Sequence, residues 1–173
     1  YMLPNWDNLT DNSYGQHSYG GSRAIVAGEI NSNTGGYISG VYRFCYQAIA
    51  RANIFLDALA KYEGSDYSAE EKNKALAEVR FLRAFYYFQL YHLYGDVPLV
   101  LEPLTLENQN QPKVTAEKVF EQVLSDLDFA IANLPAVPYT ESKGHVTKST
   151  AQTLKARARM YKAYKTDGTA DNA

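Results

Sequence analysis

Apolar residues settle into a three- and four-residue rhythm only after about position 38 of this chain. Val41, Phe44, Cys45, Ala48, Ala52, Phe55, Leu56 and Leu59 recur at that spacing between Ile38 and Lys61, which predicts one amphipathic helix. A turn through Gly64 and Asp66 follows, and then Ser68 to Glu71, in which the serine hydroxyl and the glutamate carboxylate can satisfy each other's amides as a capping box. A second helix is expected from there to Tyr94, with Gly95 as a left-handed terminator and Pro98 beyond it. At about 1.5 Å per residue it would be roughly 40 Å long.

A polar connection from Glu102 to Lys113 leads to Thr115, the expected cap of a third helix that stops before Pro135. Val119, Phe120, Val123, Leu124, Leu127, Ala130, Ile131 and Leu134 form its apolar stripe. After a second polar loop, Ala136 to Lys148, the run Ser149 to Gln152 reads as another capping box opening a fourth helix to about Lys165. The closing residues, "KTDGTADNA", are polar and without period, as in a frayed end. No segment alternates as a strand does, so the predicted fold is all-α: tetratricopeptide-like helical hairpins with long irregular loops. The corresponding helices begin near 38 and 115, much further apart than the repeat of about 34 residues in regular tetratricopeptide arrays.

The first forty residues have another character. They hold seven of the eleven glycines, five asparagines, the only tryptophan and several tyrosines, so 1–37 is predicted as mostly loop. The expectation is a single domain over 1–173: this loop region, a four-helix scaffold over 38–165, and a polar tail over 166–173. At 173 residues and 46% apolar composition the chain can build one core. A net charge of -2 disfavours nucleic acid and acidic lipid as partners. Cys45 has no partner for an internal disulfide and reads as a small buried hydrophobe. No run of about 18 apolar residues occurs.

The second helix is unusual in its wheel. At about 100° per residue, Leu76, Val79, Arg80, Arg83, Tyr87, Leu90, Tyr91 and Tyr94 share one side. Phe81, Phe85, Phe88 and His92 lie opposite, with Leu82, Tyr86 and Leu93 in one gap. A helix apolar on so many sides is expected to be covered on most of them, as the hub of the core. Glu78 lies about 140° from Arg83 around the helix, so the two cannot pair. Asp96, Asp126 or Asp128 are the expected partners of the buried arginines, because unpaired buried charge is costly.

Candidate binding chemistry concentrates in "NWDNLTDNSYGQHSYGGSR". Sugar rings present an apolar face to aromatic planes and hydroxyls to carboxylates, amides and guanidinium groups, and Trp6, Asp11, Asn12, Tyr14, Tyr19 and Arg23 supply both kinds of contact. The competing reading is that Trp6 and some tyrosines cap the helical core. Asp7 and Asp11 set no fixed carboxyl separation in so flexible a segment, which argues against a glycosidase pair. No nucleophile stands beside an oriented base, three scattered histidines give no metal spacing, and "YGQHSYGG" lacks the lysine and strand of a phosphate loop. No metal or cofactor is expected. The basic residues of the fourth helix, Lys148, Lys155, Arg157, Arg159, Lys162 and Lys165, fall mainly outside its apolar stripe and read as a solvated face.

The stretch from Ala77 to Val100, "AEVRFLRAFYYFQLYHLYGDVPLV", resembles the signature of the SusD/RagB family, surface glycan-binding lipoproteins of Bacteroidetes nutrient-uptake systems. There a Glu-Ala-x-Phe-Leu-Arg-Ala helix runs into Tyr-Gly-Asp-Val-Pro-Leu. Glu78, Phe81, Leu82, Arg83, Ala84 and Tyr94 to Leu99 match, with Val79 in place of the common alanine. "VYRFCYQAIARANIFLD", through Tyr46, Ile49, Ala52 and Asn53, "EKVFEQVLSDLDFAIANLP" and "GHVTKSTAQTLKARARMY" are similar to further family helices. The resemblance implies a tetratricopeptide-like scaffold with Glu78, Arg83, Tyr94, Gly95, Asp96 and Pro98 as structural signature. It implies non-catalytic capture of an oligosaccharide by loops, Asp11 and Asn12 among them, delivery to a TonB-dependent outer-membrane transporter, and a surface-exposed place at the outer membrane. Family members are much longer and carry a lipid anchor that is absent here, and Cys45 is wrongly placed to be the lipidated cysteine, so the chain is expected to be a fragment or a short relative. The alternative is a tetratricopeptide-like scaffold whose ligand is peptide or protein.

Overall fold

Three of the helices start where a side-chain hydroxyl accepts from a free backbone amide, and those caps set the element boundaries. The computed structural model describes residues 9–10, 13, 15, 17, 19–31, 33–136 and 144–164. A 3-10 turn, Tyr19–Gly21, precedes α1 (Ser22–Val26), followed by α2 (Tyr37–Ala60), α3 (Ala69–Tyr94), β1 (Val97–Pro98), β2 (Lys113–Val114), α4 (Ala116–Asn133) and α5 (Lys148–Ala163). Among the described residues the chain is all-α apart from a short antiparallel ladder of two residues a side, Val97 opposite Val114 and Pro98 opposite Lys113, and a single bridge residue at Tyr164. It divides into two compact units, Tyr1–Phe44 and Cys45–Ala173.

In the first unit the glycine-rich segment is more ordered than a loop. Gly20 and Gly21 take φ of 64° and 79°, which turns the chain into α1. Gly36, at φ 67°, meets the Gly20 backbone so closely that a Cβ there would overlap its carbonyl. A Cβ on Gly20 would lie 2.7 Å from the Tyr37 ring. The glycines that suggested irregular chain thus permit a backbone crossing, and the expectation of loop over 1–37 is corrected to include the turn and α1.

In the second unit the helices form successive hairpins. Arg80 meets Phe129, Arg83 meets Asp126 and Tyr91 meets Phe120, so α3 and α4 run antiparallel. Asp128 pairs with Lys155 and Glu117 with Lys162, which makes α4 and α5 antiparallel in turn. The core between them holds Ala77, Ala84, Tyr87, Phe88 and Leu90 of α3, Val119, Phe120, Val123, Leu127 and Ala130 of α4, and Ala151, Leu154 and Ala158 of α5. Small residues at 77, 84, 130, 151 and 158 allow close approach, and large ones fill the layers between.

Several boundaries match the sequence reading, and others are corrected. Ser68 and Glu71 form the full capping box of α3, and Thr115 caps α4. The cap of α5 is Thr147, not Ser149: its hydroxyl accepts from the Thr150 amide, while Lys148 N–H bonds Pro135 O and starts the helix two residues early. Gly95 ends α3 at φ 69° and ψ −111°, a positive φ outside the left-handed helical well. The hub expectation holds over about half of the helix, taking Tyr87 and Leu90 from one predicted side and Phe81 and Phe88 from the other. Leu82 and Phe85 remain 44% and 38% exposed, because α4 and α5 both pack along the side of Ala77, Ala84, Tyr87 and Phe88.

Candidate functional site

The signature residues build a clamp on the chain that leaves α3. Arg83, in the middle of α3, is buried and grips Asp126 of α4 through two parallel bonds, Nε to Oδ2 at 2.7 Å and Nη2 to Oδ1 at 2.8 Å. Its remaining nitrogen, Nη1, donates to Asn53 Oδ1 of α2 at 2.9 Å and to Leu101 O at 3.4 Å. Asn53 then passes the order on, its Nδ2 donating to Val100 O at 2.9 Å and to Glu102 O at 3.4 Å. The Tyr87 hydroxyl donates to Val100 O and accepts from Val100 N–H, at 2.8 and 2.7 Å. Tyr46 donates to Pro98 O at 2.6 Å.

The effect is to hold an extended segment, Val97 to Glu102, by its own backbone groups. That segment leaves the helical ladder at Gly95, so its carbonyls and amides need partners, and side chains of α2 and α3 supply them, with Asp126 of α4 holding Arg83 in place. A planar five-donor guanidinium is suited to a node that must serve a carboxylate, an amide and a carbonyl at once. Asp96 accepts from Ala116 N–H at 2.7 Å and so ties the segment to the first turn of α4.

Of the three carboxylates expected as arginine partners, only Asp126 takes that role. Asp128 faces Lys155 instead, and Asp96 the amide of Ala116. Arg80 has an aromatic partner, its guanidinium 4.1 Å from the Phe129 ring centre, and its buried Nε makes no hydrogen bond among the described residues. Glu78 reaches His145 Nδ1 at 3.0 Å. Burial alone pushes the Cys45 thiol up to about 11, which makes it a poor nucleophile at neutral pH.

Two of the predicted ligand residues fall among the described ones. Tyr19 opens the 3-10 turn and Arg23 sits exposed on α1, four positions further on, held there by the Gly20, Gly21 and Gly36 crossing. Trp6, Asp11, Asn12 and Tyr14 lie outside the described residues. Among the described residues no group of three or more His, Cys, Asp or Glu side chains could hold a metal ion, and no helix is long and apolar enough to cross a membrane.

Periodicity placed Tyr87 on a face of the hub helix but assigned no backbone bond to it, nor to Tyr46 or Asn53, although each anchors the clamped segment. The available signal was Asn53 itself, an amide set beside Ala52 on a helix whose stripe is otherwise apolar. A second feature that periodicity left unassigned is the ring cluster at the far end of α3. Tyr161 of α5 stands edge-on to His92, Phe88 and Tyr91, with ring centres 4.2, 6.2 and 6.3 Å away. Burial, with a smaller effect of Arg157, lowers the His92 pKa below its usual value.

Comparison with known proteins places this geometry. A SusD-like family model described as starch-binding and associating with the outer membrane matches residues 5–161. SusD-like protein P25 of Formosa agariphila is 33% identical over 125 residues, covering 71% of this chain and 23% of that protein. A laminarin-binding SusD-like protein superposes with a TM-score of 0.75 at 28% identity, over 83% of this chain and 30% of its own. Surface glycan-binding protein A from Bacteroides uniformis does so with a TM-score of 0.72 at 28% identity, over 82% of this chain and 31% of its own. The chain thus spans between 23% and 31% of the length of these proteins.

Proposed function

The chain belongs to the SusD-like family, and from that premise we propose that it serves the non-catalytic capture of an oligosaccharide at the outer membrane and its delivery to a TonB-dependent transporter. The observation that carries this reading is the match over residues 5–161, which takes in both the helical signature and the aromatic, amide-rich segment ahead of α2. Two neighbours of the same fold are named for laminarin and for surface glycan, which supports a sugar ligand over a peptide.

In this reading the clamp of Arg83, Asp126, Asn53 and Tyr87 is scaffold, and the ligand is held by Trp6, Asp11, Asn12, Tyr14, Tyr19 and Arg23. Aromatic rings would cover the C–H face of a sugar, while Asp11, Asn12 and Arg23 exchange hydrogen bonds with its hydroxyls. The test is calorimetric titration of the protein with a panel of neutral oligosaccharides and of peptides of similar size. The expected result is heat from at least one sugar, abolished in the Trp6→Ala, Tyr14→Ala double variant, with the sugar recovered unhydrolysed. Heat from peptides alone would replace this reading with the peptide-binding scaffold, and cleavage of the sugar would replace it with an enzyme.

A further inference from the structure

A second aromatic cluster is built into the connection between α2 and α3, from residues given no role above. Tyr62 and Tyr67 face each other across this turn with ring centres 5.9 Å apart and planes inclined at 60°. Tyr62 is held at its hydroxyl and on one ring face. Its hydroxyl donates to Asp66 Oδ2 at 2.5 Å, and the Lys72 ammonium lies 4.9 Å from its ring centre while donating to Gly64 O at 3.3 Å. Gly64 passes so near the phenol that any side chain there would overlap the Tyr62 Oη and ring. The hydrogen bond to Asp66 raises the Tyr62 pKa, which keeps the phenol a neutral donor.

Tyr67 has no such enclosure: 56% of it is exposed, on a turn whose other large ring is fixed. An ordered aromatic face left in water gains nothing from the core, and ordering it costs conformational entropy. The same turn holds a carboxylate and an ammonium: Asp66, next to Tyr67 in the chain, accepts from the Tyr62 hydroxyl, and Lys72 lies against the Tyr62 ring that Tyr67 faces. The two charges are opposite in sign and sum to zero, which gives the turn no net charge to favour an ion, and they offer an acceptor and a donor to hydroxyl groups.

We propose that Tyr67, with Asp66 and Lys72, forms an accessory contact for a neutral sugar ring, made of other residues than those of the loop ahead of α2. The site rests on the glycan-binding reading and adds to it a second point of attachment for a longer polysaccharide. A second foothold on one chain raises retention of long ligands through effective concentration without altering the primary contact.

The experiment is an amide-resolved NMR titration of the protein with a laminarin-derived hexasaccharide and, separately, a xylogluco-oligosaccharide. Shifts are expected at amides 64–68 and at Lys72 with at least one of them. In Tyr67→Ala, an exposed substitution that leaves the Tyr62 to Asp66 bond in place, those shifts should need about fivefold more sugar or disappear, as loss of one ring contact implies. Shifts elsewhere in the chain should persist. Perturbation elsewhere with none at 62–72 would overturn the accessory site and leave glycan binding standing. No perturbation anywhere with either sugar would overturn both, and unchanged titration of amides 64–68 in Tyr67→Ala would overturn the role of the ring.

Discussion

Removing the Asp126 carboxylate should test the clamp more severely than any other single change. Asp126 is fully buried and meets Arg83 through both oxygens, and the Arg83 side chain is itself only 7% exposed. In Asp126→Ala the guanidinium keeps Asn53 Oδ1 and the longer bond to Leu101 O but loses its counter-charge in a site without water access. Breaking a buried pair from one side costs about 3–5 kcal/mol, a large share of the about 5–15 kcal/mol that holds a domain together. Arg83→Met should cost a similar amount, since it strands the carboxylate. The double variant Arg83→Met, Asp126→Leu removes both charges, and its remaining loss is the unsatisfied Asn53 oxygen, about 1–3 kcal/mol, with a smaller part from the long bond to Leu101 O. The double variant is therefore expected to be more stable than either single one.

Urea unfolding followed by far-ultraviolet circular dichroism measures all four corners of that cycle, provided the slope with denaturant is unchanged. Hydrogen exchange at the Val100 amide supplies a local readout, because the chain Arg83 to Asn53 to Val100 O predicts faster opening of this segment in both single variants. If both single variants lost less than about 1 kcal/mol, the value typical of an exposed pair, the pair would not be acting as a buried node. If the double variant were the least stable of the three, the account of stranded charge would be wrong.

Tyr87→Phe leaves the Val100 N–H without its acceptor in a buried place, and should cost about 1–3 kcal/mol in the same urea assay with little change in helix content. Gly36→Ala combines a strained positive φ with overlap of the Gly20 carbonyl, so it should disorder the turn that carries Tyr19 and Arg23. Loss of amide dispersion for residues 19–37 with the spectrum of 69–134 unchanged is the expected result, and an unaltered spectrum would refute it. His92 has its pKa lowered in the fold, so the unfolded chain binds more protons just below the usual histidine value of 6.5 and stability rises with rising pH there. That contribution is whole above 6.5 and is lost as pH falls through the lower folded value. His92→Gln should therefore show a smaller drop in urea midpoint than the parent between pH 7.5 and 5, and equal drops would exclude the effect.

The helices were legible because their signals are local. A capping box at Ser68 and Glu71, Thr115 before an apolar stripe, and Gly95 followed by Pro98 each act within a few residues. The cap of α5 was misplaced for an instructive reason. Both Thr147 and Ser149 can cap, and the choice went to Thr147 because Pro135 O, from the end of the preceding helix, takes the Lys148 amide. The candidate site was legible as a composition, rings with amides and a guanidinium. The turn carrying Tyr19 and Arg23 depends on Gly20 meeting Gly36 across the intervening chain, which no local pattern announces.

By itself, then, the sequence determined the helical class, most helix ends and the family signature, because side-chain period and capping chemistry are properties of neighbours along the chain. Which of Asp96, Asp126 and Asp128 would neutralise Arg83, and which face of α3 would stay open at Leu82 and Phe85, only the tertiary structure decided. The physical reason is the same for both. A helix wheel ranks faces by hydrophobicity, but the antiparallel stacking of α4 on α3 selects the face that is buried, and only on that face does a charge need a partner.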